Sequence, residues 1–146
     1  MGAPGTARRG PVGEAEYPPL SRRSGWSEGS FSEMKYYEQG TSAERWERAR
    51  TFFDAKRYSM AADILGGLVE EVPDQVGPRL LLARAYYHSA QLKRAEDQLR
   101  VLVERDPAEH YARLMLGRTL QRQGRDAEAE PHLRLASALA GDFAAL

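Results

Sequence analysis

The chain contains no cysteine, which excludes disulfides, thiolate metal sites and a cysteine nucleophile. Lysine is nearly as scarce: Lys35, Lys56 and Lys93 are the only lysines among 21 basic residues. An excess charge of either sign is missing too, because 21 acidic residues balance the 21 basic ones. A chain with no positive excess is a poor general binder of phosphate backbones or anionic membrane surfaces. No apolar run approaches the roughly 20 residues of a membrane span, and the N-terminus lacks a hydrophobic signal core. The expectation is a cytoplasmic protein whose partners are neither nucleic acid nor membrane.

Catalytic constellations are missing as well. His88, His110 and His132 fall on unrelated positions of the pattern described next, with no Ser–His–Asp or Glu–His spacing around them. They read as surface or turn residues, and the neighbouring carboxylates Glu70-Glu71 and Glu128/Glu130 as helix surface. A catalytic site needs convergent groups in a pocket, and nothing here supplies them. The chain is therefore read as no enzyme, with no metal and no cofactor. Gly66-Gly67 has no strand before it, so it is no phosphate loop; it reads as a packing face inside a helix.

What is present is repetition. Ser42–Gln75, Val76–Glu109 and His110–Phe143 are three copies of one 34-residue unit in unbroken register. Three positions are identical throughout: Arg45/Arg79/Arg113, Arg50/Arg84/Arg118 and Ala61/Ala95/Ala129. Others keep their size: Ala49, Ala83 and Gly117 are small, Phe52, Tyr86 and Leu120 bulky, and Leu65, Leu99 and Leu133 constant. A small residue at a helix crossing lets two backbones approach, and bulky ones fill the grooves beside it. Pro73, Pro107 and Gly141 stand where a second helix must stop. A fixed period of this length marks a stacked array in which no unit buries its apolar face alone.

The small and bulky positions of this period resemble the tetratricopeptide repeat family. Ala83, Tyr86, Ala95, Leu99, Leu102 and Pro107 carry the resemblance in the middle copy. Counterparts are Ala49, Phe52, Tyr58, Ala61, Leu65, Leu68 and Pro73 in the first copy, and Gly117, Leu120, Ala129, Leu133 and Ala136 in the third. The resemblance implies an all-α fold: a right-handed superhelical stack of three helix-turn-helix hairpins, an α-solenoid. Two departures stand out. The early Trp that the family favours is Arg45, Arg79 and Arg113 here, and Pro131 falls inside the last helix. The arginine bias with abundant Ala and Gly fits a small bacterial, actinobacterial-like representative.

Helices are expected near residues 43–55, 59–71, 77–90, 93–105, 111–123 and 127–140, with turns at Lys56-Arg57, Ala90-Gln91 and Gln123-Gly124-Arg125. Residues 1–41 hold seven of thirteen glycines and four of eight prolines, with sparse apolar residues, and read as a disordered tail before the repeats of 42–143. Met34 is an alternative start of translation, and Tyr36 and Tyr37 are alternatively placed against the first helix. Pro131 should kink the last helix or delay its start. Its outer side, with Leu135, Leu139 and Phe143, would then meet water as an end-on surface for self-association.

By the same resemblance, the first helix of each copy lines a concave groove. The groove residues are then Trp46, Arg50 and Phe53, followed by Arg84, Tyr87 and His88, and by Tyr111, Arg118 and Arg122. Arg50, Arg84 and Arg118 form a basic ladder about 10 Å or more per step, flanked by aromatics. Exposed ion pairs contribute about 0–1 kcal/mol each, so aromatic anchors must supply much of any binding. The expected ligand is an acidic protein segment with apolar anchors, held at about micromolar strength. The bland alternative is a solvated face in which Arg50 pairs with Asp54 one turn away. A clamp for a chaperone's C-terminal carboxylate is not supported, since its places read Trp46, Arg50, Leu81, Tyr111 and Met115.

Overall fold

The computed structural model describes residues 35–141. The expectations of a disordered tail and of a start at Met34 fall mainly on residues outside that range, as does Phe143. After a short 3-10 turn at Tyr36–Glu38 come six helices: α1 (Ser42–Asp54), α2 (Tyr58–Glu71), α3 (Val76–His88), α4 (Leu92–Arg105), α5 (His110–Arg122) and α6 (Asp126–Leu139). Among the described residues there is no strand. Each helix packs on the next along the chain, giving three stacked hairpins.

Local chemistry sets these boundaries. Thr41 and Glu44 form a reciprocal capping box at α1: Glu44 N donates to Thr41 Oγ1 at 3.1 Å, and Thr41 N to Glu44 Oε1 at 3.0 Å. The three hairpin turns share one geometry. Arg57, Gln91 and Arg125 each donate a backbone N–H to a carbonyl five residues back, at 2.8, 2.8 and 2.9 Å. The residue before each donor is left-handed: Lys56 and Ala90 at φ 62°, Gly124 at φ 78°. α6 starts in register at Asp126 and runs unbroken to Leu139 with Pro131 inside it, so the delayed start does not occur.

Each part of the core is shared across a repeat boundary. Ala49, Ala61, Ile64, Leu65, Leu68 and Val69 of the first repeat enclose Leu82 and Ala85 of the second. Ala83, Leu99 and Leu102 of the second pack with Ala112, Met115, Leu116, Leu120 and Ala129 of the third. The small positions lie at true close approaches: a Cβ on Gly117 would stand 2.5 Å from Leu133 Cδ2. Gly66 does not behave as expected, since a Cβ there would meet nothing within 4 Å.

The arginines at the departure from the family pattern are structural. Arg79, 8% exposed, donates to Gln98 Oε1 at 2.7 Å and to the Pro73 carbonyl at 3.2 Å. Arg113 repeats this with His132 Nδ1 at 3.2 Å and the Pro107 carbonyl at 3.1 Å. Arg45 reaches Glu71 Oε2 at 2.7 Å. In the second and third repeats the arginine thus ties its own hairpin to the loop that enters it. His132 is accordingly half-buried against Arg113 rather than a plain surface residue.

A polar junction joins the second and third repeats. Glu96 is 1% exposed and accepts from Arg125 Nη1 at 2.8 Å, Gln123 Nε2 at 3.1 Å and Arg100 Nε at 2.8 Å. Burial alone would push its carboxyl up; the hydrogen bonds from Arg125, Gln123 and Arg100 outweigh it and hold the group at about 2.

The first repeat closes differently. Where Leu82 and Leu116 bury themselves against the preceding repeat, the equivalent residue is Arg48, whose Nη1 donates to the carbonyls of Tyr37 at 2.8 Å and Gln39 at 2.6 Å. Tyr37 packs edge-on against Phe52 at 5.6 Å, and its hydroxyl donates to Asp63 Oδ2 at 2.7 Å. Of the two tyrosines considered for this place, Tyr37 takes it, whereas Tyr36 is 76% exposed.

Candidate functional site: an arginine and aromatic groove

Two clefts open between successive first helices. The first, about 390 Å³, is lined by Trp46, Arg50, Phe53 and Asp54 of α1 with Gly77, Leu80, Leu81 and Arg84 of α3. The second, about 520 Å³, lies one repeat further on, between Tyr87 of α3, Leu114, Arg118, Gln121 and Arg122 of α5, and Leu133 and Ser137 of α6. Helical spacing explains the lining. Residues 46, 50 and 53, and 114, 118, 121 and 122, recur at steps of three and four and so share a helix face.

Most of the groove arginines lie over aromatic rings. Arg84 Cζ is 4.8 Å from the centroid of Phe53, Arg122 Cζ 4.5 Å from Tyr87, and Arg50 Cζ 5.9 Å from Trp46. Such contacts contribute about 0.5–1 kcal/mol at exposed sites, enough to bias rotamers toward the groove. Arg122 Nη1 also donates to the Tyr87 carbonyl at 2.7 Å. The Arg50–Asp54 pair does not form; Arg50 Nη1 instead approaches Glu47 Oε2 at 3.4 Å. Arg118 is exposed and has no hydrogen-bond or ion-pair partner among the described residues.

His88 belongs to an aromatic cluster between the two clefts. Its ring stacks on Tyr58 at 4.7 Å and meets the edges of Phe53 at 5.8 Å and Tyr87 at 5.6 Å. Desolvation by these rings, then the charges of Arg84 and Arg122, push the imidazole below the usual histidine range. Tyr58, a second-helix residue that sequence reasoning did not assign to the groove, supplies the stacking face. Tyr111 lines neither of these two clefts and packs on the second core cluster.

Leu135 and Leu139 both reach water, at 41% and 38% exposure. Their counterparts one repeat earlier are Val101 and Arg105, and Arg105 Nη1 reaches back to the Pro73 carbonyl at 2.5 Å. Among the described residues no group of acidic and histidine side chains has the arrangement of a metal site, and no helix is long and apolar enough to cross a membrane.

Stacked helical hairpins with clefts along one face define a helical-repeat protein of the kind that presents a binding groove. The sequence model described as tetratricopeptide repeat matches residues 52–115, from the end of α1 into α5, and over those residues the chain is similar to that family. Among solved structures, a MamA point mutant aligns with TM-score 0.64 at 21% identity, over 67% of this chain and 72% of that one. MamA 41-end from Desulfovibrio magneticus RS-1 aligns with TM-score 0.65 at 22% identity, over 69% of this chain and 57% of that one. At such identity the likeness is one of fold, and this chain spans little more than half of the Desulfovibrio structure. No curated protein matches the sequence.

Proposed function

We propose that this protein is an interaction scaffold that holds an acidic partner segment with apolar anchors in its concave groove. The observation that carries the reading is the row of guanidiniums over rings: Arg50 on Trp46, Arg84 on Phe53 and Arg122 on Tyr87. Side chains already held in place lose less rotamer freedom on binding, and Arg with Trp or Tyr is the composition of interface hot spots. Trp46, Leu80 and Leu81 offer the first cleft an apolar floor for one anchor.

The test is fluorescence anisotropy of labelled acidic peptides containing one or two apolar residues, against the full chain. Replacing Arg50, Arg84 and Arg118 together by Ala is expected to abolish binding, and unchanged affinity would remove the groove reading. Crosslinking in the native host, followed by peptide identification, then names the partner.

A second reading is self-association through the last helix, favoured by the exposure of Leu135 and Leu139. Light scattering should then report a dimer that Leu139→Glu dissociates; a monomer at all concentrations sets this reading aside.

A further inference from the structure

The two clefts differ in charge. The first counts the carboxylate of Asp54 in its lining beside Arg50 and Arg84. The second has Arg118 and Arg122 and the neutral polar groups of Gln121 and Ser137, and no carboxylate at all. Arg118 and Arg122 stand four apart on α5, so they project from the same side of the helix about 5–6 Å apart at Cβ. Arg122 is anchored at one end, through its stacking on Tyr87 and its bond to the Tyr87 carbonyl, and keeps its other donors for the cleft. Arg118 has no partner among the described residues. Two guanidiniums around one opening with no counter-charge leave the cleft short of about two negative charges. Guanidinium forks favour groups that accept several hydrogen bonds at once.

We infer that the cleft between α3, α5 and α6 is an anion site for a doubly charged group on the partner segment, a phosphoryl monoester or two adjacent carboxylates. Both present the same charge to Arg118 and Arg122, with Gln121 and Ser137 as further donors. The inference rests on the groove reading for the partner, while the site itself can be tested with a free anion. His88, beside the cleft, feels part of the same field: after burial, the charges of Arg84 on its own helix and Arg122 on α5 disfavour its charged form. An anion seated between Arg118 and Arg122 offsets part of that field, so His88 serves as an internal reporter, with His110 and His132 as controls.

The experiment is a pH titration of the three imidazoles by NMR on the full chain, with sulfate, dianionic throughout, replacing chloride at constant ionic strength. Sulfate is expected to raise the midpoint of His88 more than those of His110 and His132. Arg118→Gln, a change at an exposed residue, should weaken the sulfate response about tenfold, the loss of roughly one charge-assisted hydrogen bond. Equal movement of all three histidines, or no effect of Arg118→Gln, overturns the site. Competition then separates the sources: a phosphoserine peptide and a Glu-Glu peptide should displace sulfate at least about tenfold better than a single-Glu peptide. A single-Glu peptide that competes equally overturns the requirement for double charge. Sulfate binding that no peptide displaces overturns the groove reading instead, leaving a free anion as the ligand.

Discussion

Glu96 Oε1 accepts from Arg125 Nη1 at 2.8 Å across the junction of the second and third repeats, with the carboxylate 1% exposed and the arginine side chain 33% exposed. This is the one buried carboxylate among the described residues, and it couples the hairpin turn of the third repeat to the second helix of the repeat before it.

Glu96→Ala should destabilise the array by roughly 2–3 kcal/mol, from hydrogen bonds to a charged group. That is less than for a fully enclosed pair, because Arg125 and Arg100 can turn to water once the carboxylate is gone. The pH dependence has a definite sign. The folded Glu96 lies at about 2 against an ordinary 4.5, so its stabilisation is present above 4.5 and is lost as pH falls through 2. Denaturant melts between pH 5 and 2 check this, as chosen points around that window. The wild type should lose stability faster than Glu96→Gln, and parallel curves would contradict it.

Arg79→Leu should cost about 2 kcal/mol, because Gln98 and the Pro73 carbonyl both lose a charged donor while the apolar replacement still packs. Arg79→Lys should recover only part of it, since an ammonium cannot span both acceptors as a planar fork does. Thermal melts of the two variants decide the order; equal stability of Lys and Arg would contradict the spanning role.

The left-handed turn residues give a pair of opposed changes. Ala90→Gly should stabilise by up to about 1 kcal/mol, because Ala at φ 62° carries the strain of a Cβ in that region. Gly124→Ala, at φ 78°, should destabilise by a similar amount. Urea midpoints that move in the same direction for both variants would count against the shared turn geometry.

Arg48→Leu should change the association state. It gives the first repeat the residue that Leu82 and Leu116 use to pack on a neighbour, and it removes both donors to the carbonyls of Tyr37 and Gln39. Light scattering should show concentration-dependent assembly of the variant beyond that of the wild type. An unchanged mass would mean that this face is closed by something other than Arg48.

The sequence by itself determined the period, the six helices to within a residue or two at most ends, the three turns, and the small-residue crossings at Ala49, Ala83 and Gly117. All of these follow from local backbone chemistry and from spacing repeated three times. It also placed Trp46, Arg50 and Phe53 on one face of α1, because a period near 3.6 fixes which side chains are neighbours on a helix.

Only the tertiary structure decided what each arginine does. Arg45, Arg79 and Arg113 stood out as identical, yet Arg79 and Arg113 bond the entering loop and the facing helix, which depends on where the preceding repeat ends, while Arg45 takes Glu71. Arg50 takes Glu47 rather than Asp54, and Tyr111 turns to the core, because the crossing of neighbouring helices selects between candidates that spacing leaves equal. Glu96 illustrates the limit best: Ala62 and Glu130 occupy its place in the other copies, one small and buried, the other charged and exposed. Its burial becomes favourable only once the turn carrying Gln123 and Arg125 is folded onto it. A carboxylate's surroundings are set by what arrives from outside its own helix, and the local pattern does not carry that information.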